Sequence, residues 1–286
     1  MTRHVKWTVG TLLAGLLALA AWPTYVWLKS EAVIGQRYTL PRSLVQADAN
    51  PAALARGARV VRLAGCTGCH GPDLRGRSLR DAEIPIVASN LRALTASETD
   101  EAFDLAIRRG LRTDASSLWI MPSQSYVYMH DSDVAAILGY LRTLSPSGNP
   151  TPPPEFGFDA RSKIAEGKVQ PVASIAMTQM PAVTLGPHYD GGRYLAMIAC
   201  GSCHGADLSG TDHAPDLNVT TRYTREAFFQ LLRRGSNAHG KWLPTMGPLA
   251  RQRFHILADW EIDPLYAYLV ARARAPTQDQ LSGSIR

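Results

Sequence analysis

The chain has 286 residues, of which 45% are hydrophobic and 19% charged, the balance of a folded globular protein rather than a collagenous or disordered one. That length accommodates two modest domains. A formal charge of +6 is only mildly basic, and no basic stripe interleaved with aromatics occurs, which argues against a nucleic-acid partner.

Arg3 and Lys6 precede an uncharged apolar run from Trp7 to Leu28. As a helix, that run would be about 33 Å long, against a hydrocarbon core of about 30 Å. Trp7, Trp22, Tyr25 and Trp27 stand towards its ends, where aromatic belts sit. Residues 1–30 are therefore expected to be a membrane anchor or a signal. Ala18-Leu19-Ala20 resembles a cleavage site, but the apolar run continues past it through Val26, Trp27 and Leu28, which favours a retained transmembrane helix. Positive charge ahead of the span predicts a cytoplasmic N-terminus, with everything after Lys29 exported.

Residues 31–49 read as a tether. Asn50-Pro51 supplies an N-cap and a proline for the first helical turn. Leu54, Ala58 and Val61 share one face of the helix that follows, which delivers Cys66-Thr67-Gly68-Cys69-His70. Residues 71–98 read mostly as loop. Thr99 opens a second helix with Phe103 and Ile107 inward and Gly110 as its stop. A third helix runs from Asp131 to Leu144, with Val134, Ile137, Leu138 and Leu141 in helical spacing. Five prolines between Ser145 and Pro154 then open a stiff linker without clear periodicity. The expected division is a first domain at 50–147, a Pro-rich linker at 148–187, a second domain at 188–275 and a tail at 276–286.

The second unit repeats the first. A helix starting at Asp190 delivers Cys200-Gly201-Ser202-Cys203-His204. Thr99, Glu101, Ala102, Phe103, Arg108, Arg109 and Gly110 recur as Thr224, Glu226, Ala227, Phe228, Arg233, Arg234 and Gly235, all displaced by 125 positions. Met121 and Met246 keep that displacement, whereas the cysteine motifs lie 134 apart, so the first copy carries nine extra residues in between. A last helix lies within Asp259 to Ala273; Pro264 sits in its first turns or marks a later start. No strand pattern intrudes, and the fold class is expected to be all-α.

Cys-x-x-Cys-His is the signature of covalent haem attachment. The two thiols on one tight turn add to vinyl groups of a single porphyrin, and the histidine is carried beneath the ring as an iron ligand. A thioredoxin-like pair does not call for the histidine, and neither does a disulfide. A four-cysteine zinc site gathers its pairs more closely than two halves of a chain allow. Cys66, Cys69, Cys200 and Cys203 are thus expected to carry two haem c groups, with His70 and His204 as axial ligands. For the opposite axial position the shared register points to Met121 and Met246, each eleven residues past a helix-ending glycine and close to a proline. Met129, His130, His239 and His255 are rivals, and Met177 and Met180 read as packing residues. The Pro215 carbonyl would accept the spare N–H of His204; the register-equivalent of Pro215 in the first unit is Ser89, and for His70 the expectation moves to Pro85. The arginine pairs 108–109 and 233–234 suit propionates or simply the helix dipole. Trp119 and Trp242 line the haem edge or belong to the core.

These motifs resemble those of bacterial class I cytochromes c, in particular membrane-anchored dihaem forms. The similarity covers roughly 50–144 and 188–273, down to terminal helices ending Gly139-Tyr140-Leu141 and Ala267-Tyr268-Leu269. It implies two tandem helical domains wrapped around haem, crossed by their N- and C-terminal helices. It also implies single-electron transfer from a periplasmic dehydrogenase or quinol-oxidising complex towards a terminal oxidase, at the bacterial inner membrane with the haem domains in the periplasm. A fixed subunit of a dehydrogenase or haem-copper oxidase is the alternative, and a dihaem enzyme such as a peroxidase a third. Cytochrome subunits of dehydrogenases often carry three haems, whereas this chain has two motifs.

Overall fold

The computed structural model describes residues 3–80 and 82–275, and for residues 3–6, 8–14 and 16–20 it describes the backbone alone. The tail expected at 276–286 lies outside the described residues. The fold is mostly helical.

Helix α1 spans Arg3–Ile34 with Pro23 inside it. Among the described residues no helix is long and apolar enough to cross a membrane; much of the Trp7–Leu28 run falls where side chains are not described. Residues 36–49 have no regular structure but lie against the first unit. The Tyr38 amide donates to the Ala115 carbonyl at 3.0 Å, Ala47 to the Asp100 carboxylate at 2.7 Å, and Asp48 to the Ala135 carbonyl at 3.0 Å.

Helix α2 (Pro51–Leu63) starts at Asn50, whose side chain accepts from the Ala52 amide, and after a break comes α3 (Cys66–His70). The expectation of an all-α chain without strands is corrected here. β1 (Arg77–Leu79) pairs antiparallel with β2 (Ile86–Ala88), Arg77 opposite Ala88. Strands of three residues, mostly away from the core, leave no alternating pattern to read. This hairpin takes up most of the nine extra residues of the first copy. Then come α4 (Leu91–Leu94) and α5 (Asp100–Asp104), which continues as a wider π-turn over Leu105–Arg109. Helix α6 spans Asp131–Thr143.

The linker contains two short helices that periodicity does not reveal, α7 (Phe158–Ala165) and α8 (Val172–Thr178). The second unit comprises α9 (Asp190–His204), α10 (Arg225–Arg234), α11 (Met246–Gln252) and α12 (Asp259–Arg274). Pro264 lies inside α12, in its second turn.

Each unit is held by one close helix crossing. A Cβ on Gly57 would sit 1.9 Å from the Ala136 carbonyl oxygen and 3.0 Å from Tyr140 Cβ; on Gly192 it would sit 2.1 Å from the Pro264 oxygen and 2.9 Å from Tyr268 Cβ. Only glycine lets α2 meet α6, and α9 meet α12, at that spacing. A single hydrophobic core runs through both units and takes in Val61 of α2, Leu138 of α6, Ile198 of α9 and Leu265 of α12. Polar contacts join the units as well. Arg59 pairs with Glu261. The Tyr194 hydroxyl donates to Asp133 and its ring stacks on His130 at 3.9 Å.

Candidate functional site

The turns that carry the paired cysteines are built alike. The amide of Gly76 donates to the His70 carbonyl at 2.8 Å, and that of Gly210 to the His204 carbonyl at 2.8 Å. The next turns place Leu74 at φ 62° and Leu208 at φ 66°. Such conformations are costly for a branched residue, and their recurrence shows that both loops follow one plan. The 125-residue register recurs in the backbone too. Leu118 donates to Gly110 at 2.7 Å and Leu243 to Gly235 at 2.8 Å. Gly110 and Gly235 close their helices at φ 64° and 75°, a left-handed cap that suits glycine.

Within each turn the imidazole is aimed by its nearer nitrogen. His70 Nδ1 lies 2.8 Å from the Ser89 carbonyl oxygen and His204 Nδ1 lies 2.7 Å from that of Pro215. A carbonyl only accepts, so Nδ1 carries the proton and Nε2 keeps a free lone pair. Burial holds both imidazoles below the ordinary histidine pKa, in the neutral form that a metal ligand requires. The expectation of Pro85 as the partner of His70 is corrected: the register-equivalent Ser89 supplies the carbonyl, since any residue's backbone oxygen can accept there.

None of the four cysteines is joined in a disulfide. Burial pushes Cys66 up to about 11 and Cys200 up to about 12, and raises Cys69. Among the described residues no group of three or more His, Cys, Asp or Glu side chains converges as a zinc site would need. With each imidazole anchored through Nδ1 and each cysteine pair on one helical turn, these residues fit a covalently attached haem.

Met121 and Met246 are half-buried and pack against the same core as Cys66 and Cys200. Among their rivals, Met129 is sealed in the core at 3% exposure, and His130, His239 and His255 are exposed. Met177 and Met180 are exposed rather than packed. Trp119 is buried against Phe156 at 5.0 Å, in a satellite cluster with Ala160 and Ile164 of α7. Trp242 is exposed and packs over Gly247. Arg108 is tied to Asp104 at 2.5 Å and Asp131 at 2.6 Å; Arg233 is tied to Asp259 and to the His255 carbonyl.

Sequence reasoning missed Arg253. It is buried, and its Nη2 donates to the Leu63 carbonyl at 2.7 Å and to the Ala199 carbonyl at 3.1 Å. Those are the carbonyls just upstream of the two cysteine turns. Gln124 Oε1 and Ser125 Oγ, shortly after Met121, are buried without a hydrogen-bond partner among the described residues.

Comparison with known proteins agrees with this geometry. The cytochrome c family matches residues 54–145. The chain is 26% identical to the fructose dehydrogenase cytochrome subunit of Gluconobacter japonicus over 80% of its own length and 54% of that protein. It is 27% identical to a diheme cytochrome c-type of Cereibacter sphaeroides, covering 52% of this chain and 56% of the other. With the cytochrome c subunit of alcohol dehydrogenase (quinone) from Gluconacetobacter polyoxogenes it shares 28% identity, over 55% and 36%. The aligned part thus spans about half or less of each relative's length.

Proposed function

We propose, from the premise that the chain carries a class I cytochrome c domain and is similar to the cytochrome subunits of dehydrogenases, that it is a dihaem c-type cytochrome. It passes single electrons between redox protein partners and performs no chemistry on a substrate of its own. The observation that carries this reading is the twinned Cys-x-x-Cys-His turn, each with its imidazole Nδ1–H committed to a backbone carbonyl.

A haem bound there supplies an iron that alternates between ferric and ferrous states. Cys66 and Cys69 hold one such group and Cys200 and Cys203 the other. His70 and His204, with Nδ1 committed to a carbonyl, would offer Nε2 to the iron. Met121 and Met246 would supply the second ligand, and a site so filled would leave a substrate no open position such as an oxygenase or peroxidase needs. The carbonyls of Ser89 and Pro215 keep each imidazole in one tautomer and orientation.

A fixed electron-transfer subunit of a dehydrogenase is the better form of this reading than a freely swinging shuttle. The shared core, and the contacts of residues 36–49 with the first unit, support it. The donor is then a dehydrogenase or quinol-oxidising complex and the acceptor a terminal oxidase. We place the chain at the bacterial inner membrane through residues 7–28, with both units on the periplasmic side.

A pyridine haemochrome assay combined with potentiometric titration tests the proposal. Two c-type haems per chain, each cycling reversibly by one electron and unaffected by carbon monoxide, are expected. A readily ligated ferrous haem would indicate an enzyme instead. Co-migration with a dehydrogenase on a native gel of solubilised membranes separates subunit from shuttle.

A further inference from the structure

We propose that Arg253 is a positioning residue shared by both haem sites, one buried cation that fixes the spacing of the two attachment turns and raises both reduction potentials together. This rests on the dihaem reading above.

Arg253 follows α11 in the second unit and is only 8% exposed. Its Nε and Nη2 donate to the Leu63 carbonyl at 3.2 and 2.7 Å, and Nη2 also donates to the Ala199 carbonyl at 3.1 Å. Leu63 is the last residue of α2, three before Cys66, and Ala199 immediately precedes Cys200. One guanidinium thus ties the chain entering one turn to the chain entering the other. Gly65 makes the room: at φ 84° it lacks the Cβ that would lie 2.6 Å from Arg253 Cζ. Where α9 runs unbroken through its cysteine turn, the first unit breaks between α2 and α3, and the guanidinium fills that break.

Among the described residues the hydrogen-bond partners of this side chain are carbonyl oxygens, its Cζ also lies 5.3 Å from the centroid of the Phe254 ring, and no carboxylate pairs with it. Peptide dipoles solvate the charge without cancelling it, and an arginine does not shed its proton in a protein. Taking up an electron from a partner or a titrant lowers the net positive charge of an iron centre by one, and a fixed cation nearby favours that reduced state. Burial leaves the attraction poorly screened by salt. Because the guanidinium touches the backbone of both turns, its influence falls on both centres. Lysine would keep the charge but lacks the planar fork that reaches two carbonyls at once.

The test is potentiometric titration of the holoprotein, after haem counting, for Arg253→Gln, Arg253→Lys and the surface control Arg274→Gln. The expected result is that both midpoints fall in Arg253→Gln by about tenfold in the reduction equilibrium, about 59 mV for a one-electron couple. Arg253→Lys retains most of the potential, and Arg274→Gln moves neither centre. If the glutamine variant does not accumulate, Arg253→His titrated between pH 5 and 8 replaces it: both midpoints should fall as pH rises and the imidazolium loses its charge. Two haems per chain with midpoints unmoved, or with only one moved, would overturn the inference. A haem count other than two in the unsubstituted protein would instead overturn the dihaem reading beneath it.

Discussion

At His70 and His204 a single carbonyl decides what the imidazole can do. With Nδ1–H committed to Ser89 or Pro215, Nε2 keeps the lone pair that a metal ligand needs. Removing Cys200 and Cys203 together as alanines should leave one haem per chain by haemochrome assay, with the His70 site intact. Tyr126 behaves differently, as its hydroxyl donates to the Ala64 carbonyl at 2.7 Å beside the first turn. Tyr126→Phe should cost about 1 kcal/mol in denaturant unfolding. Burial raises the pKa of Tyr126 above its ordinary 10.0, and burial together with the Asp133 hydrogen bond raises that of Tyr194. The folded state then holds more protons than the unfolded chain above pH 10, so the stability they contribute is complete below pH 10 and falls as pH rises beyond it. Alkaline unfolding followed with and without Tyr126→Phe checks the sign: the variant should show the shallower loss. The cysteines and histidines were legible because their chemistry sits in five consecutive residues. Arg253 was not, because its Leu63 partner lies 190 residues away in sequence.

Among the elements, the two helix crossings carry the fold. Gly57→Ala drives a Cβ into the Ala136 carbonyl and Gly192→Ala does the same at Pro264. Backbone cannot yield as a side-chain tip would, so each should cost at least about 1–3 kcal/mol by chemical denaturation; a neutral outcome would mean that the helices do not meet there. The long helices α2, α6 and α10 were readable from caps and periodicity, with Thr99 and Thr224 accepting from Ala102 and Ala227 as N-caps. The hairpin, α7 and α8 were not. Elements of three to eight residues hold too few turns for a hydrophobic period and exist because tertiary contacts hold them. Val172 of α8, for instance, occupies the space left by the missing side chain of Gly110. The π-turn at Leu105–Arg109 was equally hidden. In the second unit the same register is plain α-helix, and Asp104, which grips Arg108, is replaced there by Phe229.

On the scale of the whole molecule, the repeat read from the sequence was correct in register but silent about how the units meet. They share a continuous hydrophobic core, reinforced by the Arg59–Glu261 pair and the Tyr194–Asp133 hydrogen bond. Separate units would each expose that apolar face, so calorimetry of the holoprotein should show one cooperative transition; two well-separated transitions would contradict the shared core. The chains entering the two cysteine turns are tied together by one buried arginine, Arg253, through the Leu63 and Ala199 carbonyls. The central claim is that both turns carry covalent haem, and intact-mass spectrometry of the purified chain in denaturing acid measures it most directly. The account predicts a mass raised by two haem groups that acid does not remove, falling by one when either cysteine pair is replaced. An unmodified chain, or one carrying a single haem regardless of which pair is removed, would contradict it.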